Sequence, residues 1–232
     1  MCGRYAQRTD PKRLAKEFKV AEVINASPRY NIAPTQEVLA VRESPDGREM
    51  TLYKWGLVPS WAKDASIGAK LINARSETVT EKPSFREAFK RRRCVIPADG
   101  FYEWQRLEGR KQPFFFRMRD ERPFGFAGLW ERWEGEGGKV INSCAILTTE
   151  ANEVLRPVHD RMPVIIHPED YELWLGTEAR ELGLVKEMLR PYPTEEMVGY
   201  PVGSGVNSLR NQGAGLLKRA AVNSAHFNGE VT

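Results

Sequence analysis

Short β-rich runs, each broken by glycine, proline or charged residues, recur along most of this chain and predict a fold built mainly of strands. They fall at residues 2–6, 37–42, 51–57, 94–96, 114–118, 124–130, 140–148 and 163–166. Glu108-Gly109-Arg110-Lys111 separates GFYEWQRL from Phe114-Phe115-Phe116 as a hairpin turn would, and Pro45-Asp46-Gly47 marks a second tight turn. Helical patterns fit residues 10–18, with Thr9 or Asp10 as the cap and Pro11 in the first turn, and residues 84–91, where Ser84 and Glu87 have capping-box spacing. Two further helices fit residues 168–175 and 178–189, whereas residues 61–70 and the tail from Asn223 read as loop. There is no internal repeat or low-complexity linker. The pattern predicts a single α+β domain over residues 1–220, with a β-barrel-like core of mostly antiparallel short strands and peripheral helices, followed by a flexible tail over 221–232.

Composition narrows the partners. A chain of 232 residues can bury one sizeable core, and 41% apolar with 28% charged residues is ordinary for a globular protein. Mean hydropathy is −0.51, and no apolar run approaches the ~20 residues of a spanning helix, so no membrane partner is expected. The start, MCGRYAQRTDPKRLAKEF, lacks the apolar stretch of a secretory signal, which predicts a cytoplasmic protein, nucleoid-associated if it binds DNA. A net charge of +4 and a pI near 9.0 favour an anionic partner such as nucleic acid. Cys2, Cys94 and Cys144 are an odd set without a CxxC pair, so neither a disulfide framework nor zinc is expected. There is no GxGxxG after a strand, Walker A motif or paired metal-ligand spacing, so no cofactor or metal is predicted.

Cys2 is the first residue with distinctive chemistry. A small residue after the initiator permits removal of Met1, and the new N-terminus would be a 1,2-aminothiol. Its α-amine, with a reference pKa of about 7.7 to 8.0, can attack an aldehyde at neutral pH, and the thiol can then close a five-membered thiazolidine. An incidental small residue on the first strand, or the nucleophile of an amidohydrolase such as a glutamine amidotransferase, fits the same position. A third class, a non-covalent single-stranded DNA-binding module, needs no role for Cys2.

Other polar residues stand in apolar contexts. Glu103, between aromatic residues in Asp99-Gly100-Phe101-Tyr102-Glu103-Trp104, would have a raised pKa and could shuttle protons, unless it faces solvent on an edge strand. His159, before the apolar run from Met162 to Ile166, is a second acid-base candidate or a loop histidine bonded to a carbonyl. Asn73 and Arg75 share a face if their segment is extended. Arg4 would share a strand face with Cys2, lower its thiol pKa and attract phosphate; both arginines could equally pair with surface carboxylates. Trp61 could stack on a base or belong to the core. The run from Lys90 to Arg93 is read as a solvated helix end.

Taken in order, MCGRYA, RYNIAPT, WGLVPSW, INARSET, IPADGFYEW, QPFFF, HDRMPV and NSLRNQG resemble the SOS-response-associated peptidase family, also called abasic-site processing proteins. The resemblance spans most of the chain, and it alone leads to abasic DNA. It implies one α+β domain with a positively charged channel for single-stranded DNA, and a covalent crosslink to the abasic site. At matching positions it implies that Cys2 forms the thiazolidine, that Asn73 orients the sugar and that Glu103 and His159 act as acid and base. It further implies that Arg4 and Arg75 bind phosphates and that Pro34, Trp61, Phe85, Thr148 and Arg161 line the channel. The name implies autoproteolysis at the Met1–Cys2 bond; general proteolysis is not expected. Residues 62–70 and the tail after Gly213 follow no family pattern. A monomer is expected, since one covalent site needs no symmetry partner.

Overall fold

The computed structural model describes residues 2–176 and 182–220. Its strands are β1 (Tyr5–Gln7), β2 (Arg29–Ile32), β3 (Glu37–Ser44), β4 (Gly47–Trp55), β5 (Asn73–Arg75), β6 (Arg93–Ala98) and β7 (Gly100–Leu107). They continue as β8 (Arg110–Met118), β9 (Phe124–Glu134), β10 (Val140–Glu150), β11 (Arg161–Pro163), β12 (Ile165–Ile166) and β13 (Met197–Pro201). Four short helices, α1 (Pro11–Glu17), α2 (Arg86–Arg91), α3 (Tyr171–Leu175) and α4 (Leu182–Glu187), lie between them.

β3 pairs with β4 and β6, β6 with β9, β9 with β10, and β10 returns to β4, so five strands close into a barrel. The closing ladder, Ser143↔Lys54 and Cys144↔Trp55, is parallel; the other four are antiparallel. A second, antiparallel sheet runs β13-β8-β7-β1-β2. Alternate barrel residues feed two cores. Val38, Ala40, Cys94, Ile96, Cys144 and Ile146 pack with Tyr5, Phe101 and Phe116 of the second sheet. Leu39, Val41, Val95, Ala145 and Leu147 instead pack with Leu14, Trp174 and Leu175 of the helices. Burial on both faces explains why these strands read as continuous apolar runs. Each fully buried large side chain contributes roughly 1.5–3 kcal/mol, and Trp55 also satisfies its indole N–H on the Ile72 carbonyl at 2.9 Å.

The single α+β domain and the barrel match the sequence expectation, and several details correct it. The first hairpin turn is only Glu108-Gly109, with Gly109 at φ 70°, so Arg110 and Lys111 belong to β8 and Lys111 stands opposite Arg106. The capping box at Ser84 is absent: Phe85 occupies the cap position of α2 and makes no side-chain cap bond. Asp10, not Thr9, caps α1, accepting from the Lys12 amide at 2.8 Å, because the Thr9 hydroxyl donates to buried Asp99. The 163–166 run splits, β11 pairing with β10 and β12 with β9. Residues 61–70 contain a 3-10 turn, Ala65–Lys70. Of the helix expected at 178–189, α4 is present, and residues 177–181, like the tail 221–232, lie outside the described residues.

One feature of the second sheet shapes the site. β7 pairs with β8 along its length but with β1 only at Gly100 and Phe101. From Trp104 to Leu107 its other edge has no strand partner among the described residues.

Candidate functional site

Cys2 is wholly buried and belongs to the core cluster that also holds Tyr5, Trp55, Phe101 and Ile146. Burial pushes its thiol well above the ordinary thiol range, the charge of Glu103 acts the same way, and a hydrogen bond from the Arg4 backbone amide acts against both. The expectation that the Arg4 guanidinium would lower this thiol is therefore corrected. β1 starts only at Tyr5, so Cys2 and Arg4 do not share a strand face. The guanidinium turns to the Asn31 side-chain oxygen and the Val206 carbonyl, donating to each at 2.7 Å. Asn73 donates from Nδ2 to the Cys2 carbonyl at 2.9 Å, while its Oδ1 is buried with no hydrogen-bond partner among the described residues.

Glu103 is 3% exposed, and burial raises its pKa, with the charge of His159 among the opposing influences. The Arg161 backbone amide donates to His159 Nδ1 at 2.9 Å, and an Asp160 carboxylate oxygen lies 3.0 Å from the same nitrogen. Both side chains face a cleft of about 410 Å³ lined also by Arg4, Trp104, Arg106, Lys111 and Asn207. A second lobe of about 490 Å³ shares Trp104, Arg106 and His159 and runs on past Gln105 and Pro157 to Asp160. The site thus joins the unpaired edge of β7 to the loop before β11.

The remaining candidates spread outward from this centre. Asn73 and Arg75 lie on β5, in register with Ile146 and Thr148 of β10, and Arg75 is exposed. Arg161 donates to the Thr148 carbonyl at 2.7 Å and grips both Glu77 oxygens, at 2.5 and 3.0 Å. Arg161 hydrogen bonding holds the Glu77 carboxyl below its ordinary pKa. Pro34 is half-buried beside Thr35, and Trp61 is 58% exposed. Phe85 is buried, and Thr148 is wholly so. None of Arg75, Pro34, Trp61, Phe85, Thr148 or Arg161 borders the 410 Å³ cleft.

Residues 1–209 match the family described as SOS response associated peptidase (SRAP). The chain belongs to this family. It is 40% identical over 221 residues to "Abasic site processing protein YoaM" of Bacillus subtilis, covering 94% of this chain and 97% of that one. It is 31% identical over 212 residues to "Abasic site processing protein HMCES" of Xenopus tropicalis, covering 81% of this chain and 63% of that protein. A crystal structure of a protein from Bacteroides thetaiotaomicron superposes with a TM-score of 0.85 at 25% identity, covering 95% of this chain and all of that one.

Four residues of this SRAP chain's cleft escaped the sequence reading: Trp104, Arg106, Lys111 and Asn207. Trp104 and Asn207 lie inside quoted motifs, and the Trp104 indole donates to the Asn207 side-chain oxygen at 2.8 Å. Buried Asn31, in RYNIAPT, was also missed; its Nδ2 donates to the carbonyls of Val206, Ser208 and Asn211 and ties the NSLRNQG segment over Arg4. Among the described residues no group of three or more His, Cys, Asp or Glu could hold a metal ion, and no helix is long and apolar enough to cross a membrane.

Proposed function

We propose that this protein processes abasic sites in single-stranded DNA, capturing the lesion's aldehyde on Cys2 once Met1 has been removed. The names of its relatives support the substrate class. The observation that carries the mechanism is the convergence at Cys2: Asn73 holds its carbonyl, and its thiol feels the charge of Glu103, which forms a wall of a cleft rich in cations.

The freed α-amine adds to the aldehyde carbon of the ring-opened sugar and water leaves, giving an imine. The thiol then adds across the C=N bond; a C–S bond forms and the thiol proton ends on nitrogen. Water is the only by-product, and nothing is oxidised or reduced. Glu103, made a weaker acid by burial, takes and returns protons during imine formation, and His159 gives a ring proton to the sugar oxygen during ring opening or reversal. Asn73 Oδ1 accepts from a sugar hydroxyl. Arg4 and Arg75 bind phosphates, and Pro34, Trp61 and Arg161 extend the channel. The same thiol attacks the Met1 carbonyl carbon and moves the methionyl group from the Cys2 nitrogen to sulfur, and water then hydrolyses the thioester, releasing methionine and freeing both amine and thiol. The protein acts as a monomer on nucleoid DNA in the cytoplasm, and the adduct shields the lesion.

The test mixes protein verified to begin at Cys2 with a single-stranded oligonucleotide carrying one abasic site, beside an intact-base strand and Cys2→Ala. A denaturation-resistant band with wild type and the lesion alone is expected. Its absence would overturn covalent capture and leave an amidohydrolase or a simple DNA binder.

A further inference from the structure

We propose a second anion site, formed by Arg106 and Lys111 near the tip of the β7–β8 hairpin, that grips a phosphodiester next to the reacting nucleotide. It rests on the reading of the cleft as a single-stranded DNA site and adds where the strand is held.

Arg106 and Lys111 are direct cross-strand partners, and both are exposed and line the cleft. Side chains opposed in this way have Cβ atoms roughly 4.5–5.5 Å apart, and like charges there are destabilising. The β3–β4 hairpin of the same molecule shows the usual solution: Arg42 opposes Glu49 with an ion pair at 2.5 Å, and Glu43 opposes Arg48 with one at 2.9 Å. At the β7–β8 hairpin no such answer exists. Neither cation has an ion pair or side-chain hydrogen bond among the described residues, and Glu108 in the turn engages neither. An anion bridging these two cations on one wall of a cleft would relieve their repulsion.

The surroundings select a strand phosphate. Trp104 lies two residues before Arg106 and shares its sheet face; its ring is fixed by Asn207 and has the Arg4 guanidinium 5.7 Å from its centroid. Lys111 and Arg106 thus extend a cationic, aromatic track that begins at Arg4. Arg106 stands three positions beyond Glu103, about 10 Å along a strand, so the site serves a neighbour of the lesion and not the lesion itself. A guanidinium fork beside an ammonium point charge suits a singly charged phosphodiester.

The test measures binding of an oligonucleotide bearing a tetrahydrofuran abasic analogue, which has no aldehyde and reports affinity without crosslinking. Arg106→Ala with Lys111→Ala should weaken binding about tenfold, as loss of charged hydrogen bonds does. It should also make the slope of log affinity against log salt shallower by about 0.7, one phosphate contact on a single strand. Arg110→Ala, one charge removed from the same hairpin outside the cleft, should leave the slope unchanged; an equal effect would reduce the site to diffuse electrostatics and overturn it. Inorganic phosphate should compete no better than chloride at matched ionic strength, and preferential competition would assign the site to a free anion instead. If wild type crosslinks an aldehyde substrate and the double variant binds the analogue like wild type, the anion site alone falls. If wild type does not crosslink but the double variant binds weakly, covalent capture falls and the anion site stands.

Discussion

Asn73 binds the Cys2 carbonyl oxygen through Nδ2 and keeps a buried Oδ1 with no partner among the described residues, so one amide both anchors the nucleophile's backbone and offers an acceptor beside it. Asn73→Ala removes both functions. Loss of about 1–2 kcal/mol of hydrogen bonding should slow adduct formation roughly tenfold. Affinity for the aldehyde-free analogue should hardly change. Single-turnover crosslinking beside equilibrium binding separates the two; an equal loss in both would make Asn73 a DNA contact and remove its orienting role.

Glu103→Gln should trade activity for stability. Burial raises the Glu103 pKa above its ordinary value, so ionising it costs the folded state stability. That penalty is absent below the unfolded-state pKa of about 4.3 and complete once the pH exceeds the raised folded value. The variant should melt higher than wild type at neutral pH, with the gap closing as pH falls toward that lower value, while crosslinking slows. Thermal melts across pH read the first effect; a lower melting temperature at neutral pH would contradict it.

Gly100 starts β7 at a point of close approach. A Cβ there would lie 2.2 Å from Phe115 Cζ and 2.6 Å from the Phe116 carbonyl oxygen, and the carbonyl is backbone that cannot swing away. Gly100→Ala should cost roughly 3 kcal/mol or more in urea unfolding.

Asn31→Ala should loosen the segment that covers Arg4. It leaves the Ser208 and Asn211 carbonyls without their side-chain donor and Arg4 without one acceptor, a loss of about 3 kcal/mol. Limited proteolysis should then cut within residues 203–212 faster than in wild type. Asn31→Asp keeps the acceptor for Arg4 and should leave the same segment equally open, because the lost groups are donors.

Much of the barrel was legible because β6, β9 and β10 are buried on both faces and so appear as unbroken apolar runs. The two hairpins were legible from Gly47 and Gly109. β13 was not: MVGYP carries a glycine and a proline and forms a strand because β8 offers it an edge. β2 and β5 are too short and polar to announce themselves, and the parallel β10–β4 closure joins segments that no local pattern relates. Around the site, Cys2, Asn73, Glu103 and His159 stood out from their own chemistry and neighbours, and motif resemblance supplied their roles toward an abasic sugar. Trp104 and Asn207 lay unremarked inside the same motifs, since their pairing is visible only in three dimensions. Lys111 was hidden by a turn read as ending two residues too late.

Arg4 and Val206, joined through a single hydrogen bond, stand 202 positions apart. A ribosome therefore makes Arg4 long before it makes the segment that covers it. A product cut short before Val206 would lack Asn207 and the segment over Arg4, and with them one wall of the cleft. The cleft would take its full shape only once translation has passed that point, so selective chemistry would wait on a segment made long after the nucleophile.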